Sequence, residues 1–123
     1  MRLKLGIMLA ILTVAGAAPV FAQANCATPI PPAALDGRTA TQQQITAAVG
    51  DAKGFISQSD VYQLCMLDYV KAQKDQAVTD KKPFDPYIEA AAQKKIESNQ
   101  VSKVKVGAEI NTAINDFKMA HPK

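Results

Sequence analysis

The side chains that most often carry out chemistry in proteins are sparse in this chain of 123 residues. Its single histidine, His121, stands close to the C-terminus, where chains usually fray. A Ser-His-Asp or Cys-His arrangement needs an imidazole that is held rigidly beside the nucleophile. Asp68 and Asp75 lie about two helical turns apart, a spacing typical of a solvated helix face. The sequence therefore predicts no catalytic residue, and a protein that is not an enzyme.

The residue pattern does not predict a metal site or a cofactor site either. No His, Cys, Asp and Glu residues are clustered at ligand spacing. The chain has no CxxCH for haem attachment, no GxGxxG and no P-loop. Gly50 and Gly54 fall inside a helical period, not between a strand and a helix. We therefore expect no metal and no cofactor.

The N-terminus has the parts of a signal peptide for export. Arg2 and Lys4 precede an uncharged apolar run over 5–18, and small residues then allow cleavage after Ala22 or Ala24. An uncleaved membrane anchor is the alternative, but a run of about 14 residues is shorter than the roughly 20 that span a bilayer. The sequence thus predicts a periplasmic or secreted protein.

The charge of the chain excludes one class of partner. The 14 Lys and Arg against 11 Asp and Glu give a net charge of +3, and two of the basic residues belong to the signal. A nearly neutral mature chain lacks the clustered positive charge with which proteins hold phosphates. We predict no nucleic-acid partner and no stable membrane insertion after signal cleavage.

Cys26 and Cys65 are the two cysteines of the chain. Exported proteins with two cysteines usually pair them. Closing a loop of about 40 residues stabilises the fold by about 4 kcal/mol in the chain-entropy model. A redox or metal pair is the alternative, but the CxxC spacing and nearby ligands are lacking. We predict a structural Cys26–Cys65 disulfide.

Two long segments repeat apolar residues at alternating steps of four and three, which is typical of helices. The first segment begins at a capping box, Thr41 to Gln44. Asp85 and Pro86 are suitable as N-cap and first residue of the second helix. These signals predict an all-α fold with a helix over about 41–79, a turn over 80–85 and a helix over about 86–119. Two shorter helices in place of the first are the alternative, with the break near Ser57.

The resulting domain order is a signal peptide over 1–22, a proline-rich leader over 23–39 and a helical hairpin over 40–120. Prolines disfavour helix within the leader. Cys65 lies on the side of the first helix away from the second, at 100° per residue. The disulfide should therefore hold the leader across the back of the first helix, where it would cover Val61 and Leu64.

Folding the helices back on each other predicts an antiparallel, coiled-coil-like hairpin. Val49 then lies opposite Phe117, and Met66 lies opposite Asn99. The polar interruptions of the two stripes coincide and form a polar layer, which comprises Ser59, Gln63, Asn99 and Lys103. One interpretation is control of the helix register, because buried polar groups must satisfy each other. The other is a small polar pocket for a ligand.

Apolar residues outside the seam predict an interaction surface. Phe55, Tyr62 and Tyr69 form an aromatic stripe on the first helix, and Val101 and Val104 lie on an outer face of the second. One interpretation is that these residues widen the seam and receive the leader. The other is a surface for a second copy or for a periplasmic protein partner, since apolar faces left over on hairpins commonly build larger bundles.

Two strings of the mature chain are distinctive: Tyr62-Gln-Leu-Cys65 after a leader with Asp36-Gly37, and Asn99-Gln-Val-Ser-Lys103 followed by Val106-Gly107. With them the chain resembles a group of small exported proteins from alphaproteobacteria. The resemblance spans most of the mature chain and implies export and a helical fold. It carries over no activity. Together these observations predict a non-enzymatic exported protein that binds a protein or itself, with ligand binding at the polar layer as the alternative.

Overall fold

The structure, a computed structural model, describes residues 25–123. The signal peptide predicted over 1–22, and both of its predicted cleavage points, lie outside the described residues. The described part is all-helical, with two long helices packed against each other and no strand. The predicted class of fold, an all-α antiparallel hairpin with a disulfide-held leader, is confirmed.

Helix α1 spans Gln42–Thr79 and is continuous through Gly50, Gly54 and Ser57. Its N-terminus is closed by a capping box: the Thr41 hydroxyl accepts from the Gln44 backbone N–H at 3.2 Å, and the Gln44 side chain accepts from the Thr41 N–H at 2.8 Å. Two backbone donors that the helix cannot satisfy itself are thereby paired. The predicted helix covered about 41–79.

Helix α2 spans Pro86–Ala120, beside the predicted range of about 86–119. The Asp85 carboxylate accepts from the Tyr87 N–H at 2.9 Å, and Pro86 occupies a first-turn position that needs no donor. The tight connection from α1 uses Lys81 with a φ of 53°, a left-handed conformation that terminates the first helix. Local signals alone thus account for both helix starts and for the reversal.

The seam between the helices holds three apolar clusters, and each contains a buried alanine. Ala52, Ala92 and Ala113 are each at most 4% exposed. Around them pack the larger side chains, which comprise Ile45, Phe55, Tyr62, Met66, Val70 and Val106. Small residues at these positions let the two backbones approach, and the larger ones fill the space between them.

The register of the seam differs from the sequence prediction by about one helical turn. The prediction set Asn99 opposite Met66, whereas Asn99 bonds to Ser59 and Gln63. The prediction aligned the apolar pairs and let the polar interruptions of the two stripes coincide, without asking which polar side chains could bond to each other. The observed register is the one in which the buried Asn99 amide bonds to both Ser59 and Gln63.

The leader runs along one side of α1 toward its N-terminus, starting from the Cys26–Cys65 disulfide with a Cα–Cα distance of 5.8 Å. Cys26 packs beside Tyr62, and Leu35 packs against Ala113 at the other end. The expected cover over Val61 and Leu64 is wrong, because these residues stay 66% and 61% exposed. The leader instead follows the side of α1 that carries the larger apolar surface.

Gly37 fixes the end of the leader that joins α1. It is buried, and a Cβ added to it would come within 1.9 Å of the Ala113 carbonyl oxygen. Only a residue without a side chain allows the leader to touch α2 this closely. The leader is therefore anchored at both ends, by a covalent bond at Cys26 and by a close backbone contact at Gly37.

Candidate functional site

The polar layer lies at the middle of the hairpin. Asn99 Nδ2 donates to the Ser59 hydroxyl at 3.1 Å, and Gln63 Nε2 donates to Asn99 Oδ1 at 2.9 Å. Gln63 also donates to Gln100 Oε1 at 3.2 Å. Ser59 is 0% exposed and Asn99 is 7% exposed, so the Ser59–Asn99 bond forms away from water, whereas the Gln63–Gln100 bond lies at the surface. Ser59, Gln63 and Asn99 are thus joined in one network.

Lys103, the fourth predicted member of the polar layer, lies at its edge. Its ammonium group pairs with the Asp60 carboxylate across the two helices. Every buried side-chain nitrogen or oxygen in the described part of the chain has a hydrogen-bond partner. Hydrogen bonds that complete each other in this way favour register control over a ligand pocket, because no polar atom is left aimed at an absent group.

The aromatic stripe is largely covered, which favours the interpretation that it widens the seam and receives the leader over that of an interaction surface. Phe55 is 3% exposed and Tyr62 is 5% exposed, while Tyr69 is half-buried. The physical reason is that α2 covers one edge of the stripe and the leader covers the other. Cys26 packs against Tyr62, and Pro31 and Pro32 lie beside Phe55. Phe55 and Tyr62 are therefore the apolar surface that receives the leader, whereas Tyr69 lines a groove with Tyr87 of α2.

Val101 and Val104 are at the surface, with 69% and 65% of each residue exposed. Together with the exposed Ala108 they form the valine face, on the side of α2 turned away from α1. The outer side of α1 carries a second exposed group, which comprises Val61, Leu64 and Leu67. Large apolar side chains left in water in the middle of both helices are candidates for contact with another protein.

A cavity of about 570 Å³ lies between the leader and α1, next to the disulfide. Its walls include Ile30 from the leader and Val61, Tyr62 and Cys65 from α1. The cavity is mainly apolar. Because it is open to solvent, Cys26 and Cys65 are both partly accessible from it. Sequence analysis could not find it, since its shape depends on the path of the leader.

The remaining chemistry-bearing residues are dispersed. His121 stacks on Phe117 with ring centroids 4.3 Å apart, and its Nδ1 lies 3.0 Å from the Phe117 carbonyl oxygen. Asp36 accepts two bonds from the Arg38 guanidinium at 3.0 Å, and the pKa of the Asp36 carboxyl is lowered by these bonds. Over residues 25–123, no three His, Cys, Asp or Glu side chains are close enough to hold a metal ion.

Neither helix of residues 25–123 contains a stretch long and apolar enough to cross a membrane. No protein-family model, no curated protein and no solved structure matches this chain. The resemblance to small exported proteins of alphaproteobacteria stays a prediction.

Proposed function

We propose that this protein is an exported, non-enzymatic helical module that self-associates through the valine face of α2. The observation that carries the proposal is the exposure of Val101 and Val104, 69% and 65%, at the middle of a long and well-capped helix. Burying such side chains against another protein would remove apolar surface from water at about 25 cal/mol per Å². Val101 and Val104 belong to none of the apolar clusters of the seam and not to the polar layer, so this surface has no role inside the hairpin.

A second copy is the partner that fits the valine face. Val101 and Val104 lie on either side of the midpoint of α2, so an antiparallel pairing sets Val101 of one copy against Val104 of the other. A two-fold pairing of this kind needs only one surface that is complementary to itself. The small Ala108 then allows the helices to approach at the edge of the contact. Coiled-coil-like packing between copies is part of this proposal.

Export is supported by the N-terminal signal and by the disulfide, which persists in oxidising compartments. Expression of the full chain in a Gram-negative host tests this part. We expect the protein in the periplasmic fraction, with a mass that corresponds to cleavage after Ala22 or Ala24. A full-length protein that stays in the cytoplasm would contradict it.

Light scattering on the purified, oxidised mature protein tests self-association. We expect the molar mass of two chains for the wild type. The double variant with Val101→Lys and Val104→Lys should have the mass of one chain, because pairing would bury its ammonium groups against each other. Val61→Lys is the matched control, since Val61 is 66% exposed on α1 and should leave the dimer intact. A wild type of single-chain mass at all concentrations would show that the valine face does not pair.

A further inference from the structure

The N-terminal half of the leader is held against the hairpin without hydrogen bonds. Within the described residues, positions 25–35 make no hydrogen bond to either helix, and the first polar contacts of the leader are those of Asp36. The N-terminal half of the leader is therefore fixed by apolar contacts and by the disulfide. A segment without hydrogen bonds to the rest of the fold can open locally at less than the free energy of global unfolding.

The side of α1 on which the leader lies has the pattern of a helix-pairing face. Phe55, Tyr62 and Tyr69 follow Ala48 along α1 at steps of one heptad, the repeat by which helices pack against each other. The leader lies beside Ala48, Phe55 and Tyr62, and Tyr69 continues the same line beyond the disulfide. An antiparallel pairing of α1 with a second α1 sets Phe55 against Tyr62 and the small Ala48 against the large Tyr69. Large residues would meet small ones at both ends, as close packing requires.

The same pairing is complementary in charge on α2. The two-fold axis of this pairing crosses α1 midway between Phe55 and Tyr62, near Ser59. The Ser59–Asn99 and Asp60–Lys103 contacts show that this point of α1 is level with α2 near Ser102. Lys95 and Glu109 each lie seven residues from Ser102, on the same side of α2. Glu109 lines a groove with the leader, and Lys95 lines a groove with Tyr69. Lys95 of one copy would therefore lie opposite Glu109 of the other.

We infer that the N-terminal half of the leader, residues 25–35, is a removable cover over a second self-association surface, and that reduction of Cys26–Cys65 exchanges this half for a second copy of the chain. Two hairpins joined on this side form an antiparallel four-helix bundle. The leader and the second copy compete for the same surface, so the oxidised chain is closed and the reduced chain is open. This inference goes beyond the proposed pairing through the valine face and uses different residues.

The chemical step needs a dithiol as reductant. Its thiolate attacks one sulfur of the disulfide to form a mixed disulfide, and its second thiol then displaces the protein sulfur. Two electrons and two protons pass to Cys26 and Cys65, which become thiols, and the reductant leaves as its own disulfide. The cavity beside the leader, lined by both cysteines, gives the reductant access.

The experiment uses the mature protein carrying Val101→Lys and Val104→Lys, so that the valine face cannot contribute to the mass. Light scattering and far-UV circular dichroism are recorded before and after addition of a dithiol. We expect the molar mass to double on reduction with no loss of helix signal. A helix signal that disappears would overturn the inference, because the leader would then be needed for folding and could not be a removable cover.

Tyrosine fluorescence reports directly on the cover. The chain has three tyrosines and no tryptophan, so Tyr69→Phe with Tyr87→Phe leaves Tyr62 as the only strong emitter. Iodide should quench Tyr62 weakly in the oxidised protein and more strongly in dilute reduced protein, where the cover is off and the second copy has dissociated. Protection of Tyr62 that survives reduction at single-chain mass would overturn the inference. A quenched Tyr62 that stays monomeric at high concentration would overturn the second copy as occupant.

A charge reversal decides the geometry. Lys95→Glu should abolish the doubling of mass on reduction, because two carboxylates would then face each other across the pairing. Adding Glu109→Lys should restore it, because the pair is then reversed; Glu109 also gives up its 3.7 Å pairing with Lys105 on the same helix. Lys94→Glu, on the outer side of α2, is the matched control and should leave the doubling unchanged. Failure of the double variant to restore the dimer would exclude this antiparallel arrangement.

Discussion

The two sides of the hairpin are closed by different chemistry. On the leader side, apolar side chains lie under a covering segment that has a disulfide at one end and Gly37 at the other. On the opposite, open side, polar pairs cross from helix to helix. These pairs are Lys74–Glu89 at 2.9 Å, Gln63–Gln100 at 3.2 Å and Asp60–Lys103.

The difference shows which parts of a two-helix fold need a cover. Exposed ion pairs each contribute about 0–1 kcal/mol and remain satisfied in water, so the open side needs no further layer. Exposing Phe55 and Tyr62 to water would lower the free energy of unfolding by several times that amount. A hairpin buries only one stripe of each helix, and the leader supplies the missing layer where the side chains are largest.

The sharpest test of this comparison is Phe55→Ala. Phe55 packs with Ala52 and Val106 beneath the leader, so the truncation should leave a cavity and lower the free energy of unfolding by about 4 kcal/mol. Leu67→Ala is the control on the open side, where Leu67 is 53% exposed and the loss should stay below about 1 kcal/mol. Urea unfolding followed by circular dichroism measures both. Equal losses would mean that the two sides do not differ in stability.

A substitution at the fixed end of the leader should have the next largest effect. Gly37→Ala forces a Cβ against the Ala113 carbonyl, and we expect a loss of about 3 kcal/mol from the required backbone shift. Gly50→Ala is the matched control, because a Cβ there meets nothing within 4 Å and a helical alanine should stabilise by about 0.5–1 kcal/mol. Thermal unfolding of the two variants gives the signs. A neutral Gly37→Ala would show that the leader is not in close contact with α2.

The polar layer at the centre should be intermediate. Asn99→Ala removes the donor to Ser59 and the acceptor for Gln63, and leaves the fully buried Ser59 hydroxyl without that partner. We expect a loss of about 2 kcal/mol in the free energy of unfolding. Asn99→Ala with Ser59→Ala should lose less than the two single losses combined, because one network is removed in both. Additive losses in this double-mutant cycle would contradict the shared network.

The open side should show the smallest effect. Lys74→Ala removes the pair with Glu89, where both side chains are about half exposed, and we expect a change below about 1 kcal/mol. Raising the salt concentration should narrow the difference between variant and wild type, since exposed charges are screened. Chemical unfolding at low and high salt measures this. A loss as large as that of Phe55→Ala would reverse the proposed order of the two sides.

The sequence by itself determined the helices, because their signals act over a few residues. The Thr41–Gln44 capping box, the Asp85–Pro86 start and the apolar period each depend on neighbours in the chain. The cysteine pair was also readable, since two cysteines in an exported chain have one partner each. These local signals and the number of cysteines predicted the class of fold.

Only the tertiary structure decided the register, the path of the leader and the exposure of the apolar residues. The prediction made the apolar pairs and the polar interruptions coincide, but it missed that the buried Asn99 amide needs Ser59 and Gln63 at one alignment. It likewise put the leader over Val61, because the angular position of Cys65 does not reveal in which direction the chain leaves the disulfide. Burial depends on contacts between distant segments, and those contacts were not encoded in the period of either helix.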